Sequence, residues 1–147
     1  MGILLIVGCA EEPPSPAPPA PPVTPTTYSV LWVTIPIEVF STTPHTNEIM
    51  HAAIGEKLTV TIGSNPTTGY QWSEFAEISD ETIIRQVDHK FVEPETDAPG
   101  TPGEEVWTFE ALKEGSVTTF LDYSRSWNET DALHWTVTIT TIVRQRN

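Results

Sequence analysis

The sequence predicts an all-β protein, an antiparallel sandwich or barrel, and two observations carry that expectation. Apolar and polar residues alternate along several short runs, and turn signals such as Ile54-Gly55-Glu56 and Lys113-Glu114-Gly115 separate them. No long stretch shows helical periodicity. A strand that buries one face and solvates the other alternates in this way, and Thr suits the outward positions because its branched side chain fits a pleated surface.

The elements are taken in chain order. Residues 28–40, "YSVLWVTIPIEVF", place Leu31, Val33, Ile35, Ile37 and Val39 on one face, while Pro36 confines the strand to a sheet edge. Together with a linker over 41–47 this strand is expected to be an addition in front of the core. "KLTVTI" turns Leu58, Val60 and Ile62 inward and Lys57, Thr59 and Thr61 outward. After it comes "NPTTGYQW", in which Tyr70 and Trp72 share a face and Trp72 is expected in the core. A further strand ends near Phe91. "EVWTFEAL" aligns Trp107, Phe109 and Ala111, and "SVTTFLDYSR" aligns Val117, Thr119, Leu121 and Tyr123. "LHWTVTITTIV" brings Trp135, Val137, Ile139 and Val143 together.

Ahead of these strands the chain is of another kind. Cys9 closes "LLIVGC", which resembles the lipobox of a lipoprotein signal, with Ile6, Val7 and Gly8 before the cysteine that would take the lipid. Only residues 2–7 separate Met1 from Gly8, shorter than an ordinary signal, so either the true start lies upstream or the match is a chance one. A buried or dispensable thiol is the plainer alternative, but the segment after Cys9 behaves as a tether. Eight of the 14 prolines fall between Pro13 and Pro25, which removes backbone donors and favours a semi-rigid polyproline spacer. The expected organisation is a signal remnant over 1–9, a tether over 10–27 and a sandwich over 28–147.

Charge and motif content exclude several function classes. With 20 acidic against 7 basic residues the formal charge is −13, and no Lys or Arg precedes Lys57. Nucleic acid is therefore not an expected partner, since phosphate binding needs clustered basic side chains. The four histidines, His45, His51, His89 and His134, lack short ligand spacing, so no metal is expected. There is no Gly-x-Ser-x-Gly elbow, and Cys9 stands outside the domain, so no catalytic nucleophile is apparent. Glu104 and Glu105 read as a solvated strand edge.

The connections are more informative than the strands. In an antiparallel sandwich alternate connections emerge at one end, and three unusual ones alternate here: residues 65–70, 92–105 and 124–132. Extended loops gathered at one tip of a rigid scaffold form a recognition surface. Asn65-Pro66-Thr67-Thr68-Gly69-Tyr70, followed by Trp72, resembles the first-loop signature of the chagasin family of cysteine peptidase inhibitors. Gly100-Thr101-Pro102-Gly103 stands where that family has a Gly-x-Gly-Gly stretch, and Arg125-Ser126-Trp127 stands in place of its Arg-Pro-Trp. The resemblance spans about residues 47–143.

The resemblance implies an immunoglobulin-like β-sandwich that wedges three loops into the cleft of a papain-like (clan CA) cysteine peptidase, acting as a monomer without cofactor. The expected peptidase-binding residues are those of the three motifs. Pro66 and Gly69 would preorganise the first loop, and the Thr67 and Thr68 hydroxyls can hydrogen-bond near the catalytic centre. Trp127 would be a buried anchor and Arg125 a forked donor. Ser126 replaces a proline of the family motif and loses a fixed φ; Pro102 replaces a glycine and loses a donor. The competing reading is a surface adhesion or carbohydrate-binding sandwich, with Glu93, Glu95 and Asp97 holding calcium.

The N-terminal reading places the protein outside the cytoplasm, at the cell surface or in the periplasm, and holds it to a membrane only through a lipid on Cys9. Cys9→Ser in the chain with a complete leader should move the protein from the membrane fraction to the medium. Unchanged fractionation would contradict the lipobox.

Overall fold

The alternation of Leu58, Val60 and Ile62 with Lys57, Thr59 and Thr61 becomes a strand in the middle of a sheet. The computed structural model describes residues 31–96, 98–125 and 134–146. Cys9, the 10–27 tether, Tyr28, Asp97, Ser126 and Trp127 lie outside the described residues. In chain order the strands are β1 (Trp32–Ile35), β2 (His45–Ala53), β3 (Lys57–Ser64), β4 (Gln71–Trp72), β5 (Glu77–Ile78), β6 (Ile84–Val92), β7 (Gly103–Ala111), β8 (Gly115–Ser124) and β9 (Trp135–Arg144). Among the described residues the only helical segments are two short 3-10 turns, Ile37–Ser41 and Pro66–Thr68.

These strands form two sheets, ordered β1-β3-β7-β6 and β2-β9-β8-β4, with β5 also paired to β8. The inward residues read from the alternation meet between them. Leu58, Val60, Ile62, Trp107, Phe109 and Ala111 from one sheet join Val117, Leu121, Tyr123, Val137, Ile139 and Val143 from the other in one buried cluster. Each large apolar side chain withdrawn from water in this way contributes roughly 1.5–3 kcal/mol before entropy is counted.

The pairing register decides which connections share a pole. β3 pairs antiparallel with β7 from Lys57↔Glu110 to Ser64↔Gly103, so the end of β3 lies beside the start of β7. β8 pairs with β9 from Gly115↔Val143 to Tyr123↔Trp135, and Gln71 of β4 faces Ser124. The connections 65–70, 93–102 and 125–134 therefore leave the sandwich at the same end. At the opposite pole the turns interlock, with Gly55 N–H donating to Ala111 O at 2.8 Å and Leu112 N–H to Ile83 O at 2.8 Å.

Three expectations require correction. The strand expected over 28–40 is described only as β1, because Pro36 has no N–H and the chain turns into a 3-10 segment in which Val39 N–H donates to Pro36 O at 3.1 Å. β1 does lie at an edge, as Pro36 requires. Second, the pairing is not wholly antiparallel: β1 runs parallel to β3, and β2 parallel to β9. The reason is the crossing over 36–44, which carries the chain from one sheet to the other, so β1 and β3 rise together with β2 descending between them. Third, 41–47 is not merely a linker in front of the core, because β2 begins at His45 and sends Met50 and Ala52 inward.

That crossing is bound tightly to the core. A Cβ on Gly63 would stand 2.5 Å from the Ile37 backbone nitrogen, so only glycine lets the crossing approach β3 this closely. Phe40, 2% exposed, stacks on Trp135 with centroids 5.2 Å apart and tilts against Trp72 at 5.2 Å. Phe40→Ala should lower unfolding stability by about 3–5 kcal/mol in urea titration. A loss below about 1 kcal/mol would mean that the crossing is an appendage after all.

Candidate functional site

The first loop is a small hydrogen-bonded solid. Pro66–Thr68 make one 3-10 turn in which Thr68 N–H donates to Asn65 O at 3.1 Å and Gly69 N–H to Pro66 O at 3.0 Å. Gly69 then leaves the turn at φ 81°, ψ 2°, a left-handed conformation that disfavours side chains with a Cβ. Thr67 Oγ1 donates to Asn65 Oδ1 at 2.6 Å, and Thr68 Oγ1 donates to Asn65 O at 2.7 Å. For a partner the two hydroxyls thus keep acceptor lone pairs. They spend their protons inside the loop, and Asn65 is the residue around which the loop closes.

The second loop is tied to the first. Asn65 Nδ2 donates to Gly100 O at 3.1 Å. Within the second loop Thr101 donates to Ala98 O through its N–H at 3.2 Å and its hydroxyl at 2.8 Å, with Gly100 at φ 82°. A cavity of about 310 Å³ separates the two loops, walled by Pro66, Thr67, Phe91, Pro94, Ala98 and Thr101. Pro102 is exposed, whereas Gly103 is buried as the first residue of β7, opposite Ser64.

The third loop is represented by its root. Arg125 Nη2 donates to Thr68 O at 3.3 Å, and the guanidinium carbon lies 4.3 Å from the centre of the Tyr70 ring. Ser126 and Trp127, which complete this motif, lie outside the described residues. Tyr123, two residues before Arg125, reaches back into the first loop: its hydroxyl accepts the Asn65 N–H at 3.2 Å and donates to Asn65 O at 3.4 Å.

Burial sorts the residues singled out from the sequence. Pro66, Thr67, Thr68, Gly100 and Pro102 are exposed, and Asn65, Gly69, Thr101 and Arg125 are half-buried. Tyr70, only 6% exposed, stacks on Tyr123 at 5.5 Å beneath Arg125, and Gly103 is likewise enclosed. These two support the loops and do not present surface. Trp72 is in the core, as its shared face with Tyr70 predicted.

Glu105 is the largest departure. The expected solvated edge holds for Glu104, which is exposed, but Glu105 is 5% exposed on the inner face of β7. Its Oε1 accepts the Ser64 hydroxyl at 2.6 Å and lies 3.5 Å from Trp72 N, and its Oε2 is 2.9 Å from His89 Nε2. The strand alternation that turned Trp107 and Phe109 inward also assigns Glu105 to that face. Strand parity prevails over charge here because the carboxylate finds polar partners inside.

Comparison with known proteins follows the same geometry. Residues 51–141 match the model of a family described as Chagasin family peptidase inhibitor I42. No curated protein matches the chain significantly. Among solved structures, the crystal structure of the cysteine protease inhibitor EhICP2 from Entamoeba histolytica is similar at TM-score 0.58 and 19% identity, covering 77% of this chain and 96% of that one. The solution structure of amebosin gives 0.53 and 20%, covering 76% and 96%. PbICP-C, solved in complex with falcipain-2, gives 0.52 and 21%, covering 68% and 89%. Likeness at these identities is likeness of fold.

Proposed function

This chain belongs to the chagasin family of peptidase inhibitors, and on that premise we propose that its three-loop pole blocks the active-site cleft of a papain-like cysteine peptidase. It is an inhibitor and not an enzyme. The observation that carries the reading is the direct bonding of the loops to one another, Asn65 to Gly100 and Arg125 to Thr68. Two loops and the root of the third held at fixed spacing present a wedge that loses little conformational entropy on docking. A solved neighbour in complex with falcipain-2 supports the kind of partner.

The exposed face of the wedge is Pro66, Thr67 and Thr68 on the first loop with Gly100 and Pro102 on the second, flanked by the half-buried Arg125 at the root of the third; Ser126 and Trp127, outside the described residues, are proposed to bind with them. Inhibition without cleavage follows from the conformation of the first loop. A peptidase acts on backbone held extended across its cleft, with a carbonyl in reach of the nucleophile. The Pro66–Thr68 turn is closed, and the Asn65 and Pro66 carbonyls already accept hydrogen bonds within it. Opening the turn to reach attack geometry would break both bonds.

Attachment of the protein follows the same polarity. Leu31 O accepts the Thr59 N–H at 2.7 Å near the start of β3, five residues before Ser64, so the described chain begins toward the pole away from the loops. A lipid on Cys9 and a tether over 10–27 would join the sandwich from that side and direct the wedge outward from a membrane.

Gly69→Val should raise the inhibition constant against a papain-type peptidase at least about tenfold. The β-branched residue resists the left-handed conformation by roughly 1–2 kcal/mol and must reshape an exposed turn. The loss of fold stability should not exceed that amount. Inhibitor recovered from the wild-type complex should be uncleaved. Full inhibition by the Val variant, or a first loop cut between Asn65 and Tyr70, would refute the wedge.

A further inference from the structure

Glu105 is a buried carboxylate that the docking surface does not use, and its partners are unusually placed in the chain. Ser64 is the last residue of β3, immediately before the first loop, and Trp72 ends the short strand immediately after it. Both address Glu105 Oε1, the hydroxyl at 2.6 Å and the backbone nitrogen at 3.5 Å. On the other side Oε2 meets His89 Nε2 at 2.9 Å, from the strand that leads into the second loop. Glu105 itself sits two residues after Gly103, where the second loop ends. One side chain thus touches the two feet of the first loop and stands between the two feet of the second.

From this placement we infer that Glu105 is a positioning residue, a tie that sets the height and spacing of the first two loops for the inhibitory wedge, and the inference rests on the peptidase-inhibitor reading above. All three partners can donate at once to an acceptor-only carboxylate. Such charge-assisted bonds are roughly twice as strong as neutral ones. Ser64 is fully buried, so its hydroxyl has no water to turn to if the carboxylate is lost. His89 is held for its part by stacking on Trp107 with centroids 4.8 Å apart.

Packing alone does not hold the first loop on this side. Against it lies an open hollow of about 270 Å³ bounded by Pro66, Gln71, Trp72, His89, Phe91 and Glu105. A loop with open space against it can shift when its ties are cut, without unfolding the sandwich. Glu105 lines that space together with Trp72 and His89, so its hydrogen bonds restrain the loop where close-packed side chains would otherwise oppose the movement.

Two substitutions in the full chain separate a tie from mere filling of space. In Glu105→Gln the amide oxygen accepts from Ser64 and Trp72 while the amide nitrogen donates to His89 in its Nδ1–H tautomer, so the tie survives in neutral form. Glu105→Leu fills a similar volume and bonds to nothing. The Leu variant should raise the inhibition constant against a papain-type peptidase about tenfold or more. In the free protein it should speed amide exchange over residues 65–72 by about the same factor while the β8–β9 ladder stays protected. The Gln variant should remain within about threefold of wild type on both measures.

Ser64→Ala, which removes one partner and little volume, should shift both readouts the same way by less, and it decides the question if the Leu variant does not fold. Wild-type inhibition and wild-type exchange in Glu105→Leu would overturn the tie. So would equal impairment in the Gln and Leu variants, since that would trace the effect to something other than the bonds. Exchange in the free protein needs no peptidase, so it judges the tie even if the wild-type chain fails to inhibit and the inhibitor reading falls by itself.

Discussion

The loop-bearing pole depends on the burial of one phenol, that of Tyr123. Its ring is 2% exposed and lies 5.5 Å from Tyr70, 5.0 Å from Trp135 and 4.9 Å from Trp72. A buried hydroxyl must find a partner, and this one bonds to both backbone groups of Asn65, the residue that closes the first loop. Phe40 completes the layer by bridging Trp72 and Trp135. Two packed sheets stand about 10 Å apart, a gap that backbone turns alone would leave open at the end of a sandwich. Large flat rings fill it, and aromatic pairs add roughly 0.5–1.5 kcal/mol each beyond their burial. The loops rest on that layer.

Order above the layer comes from hydrogen bonds. Asn65 is bonded to Tyr123 below, to Gly100 beside it, and to Thr67 and Thr68 in front. Arg125 closes the other flank over Tyr70 and Thr68. The consequence for binding is entropic, because a surface already in one conformation loses little freedom when it docks. The formal charge of −13 acts at longer range, where it favours encounter with positively charged surfaces over anionic ones. Among the described residues the tips of the first two loops, Pro66, Thr67, Thr68, Gly100 and Pro102, are exposed and small, whereas their support is buried and largely aromatic.

The parts legible in the sequence were those in which side-chain parity and hydrophobicity agree. β3, β7, β8 and β9 alternate, and the inward residues named from them lie in the core, with Trp135 half-buried at its margin. β2 was illegible because "HTNEIMHAA" turns Ile49 outward, 62% exposed, and buries two alanines, so its apolar residues mark no single face. The parallel pairings depend on which sheet a crossing joins, a long-range choice that local pattern does not encode. Pro36 announced an edge but not the 3-10 turn behind it. Glu105 was misplaced because a carboxylate is usually outside; only the Ser64, Trp72 and His89 partners that folding brings together make its burial tolerable. The first loop was recognisable as a motif, yet the inward bonding of its threonine hydroxyls became visible only with Asn65 in place.

The central claim is that partner contact is confined to the loop pole. Hydrogen–deuterium exchange of the full chain, alone and saturated with a papain-type peptidase whose catalytic cysteine carries a small blocking group, tests it most directly. The account predicts slowed exchange in the amides of residues 65–70, 100–103 and 125–127, with the outer faces of β1 and β2 unchanged. Protection on a sheet face, with the loop amides exchanging as in the free protein, would contradict it.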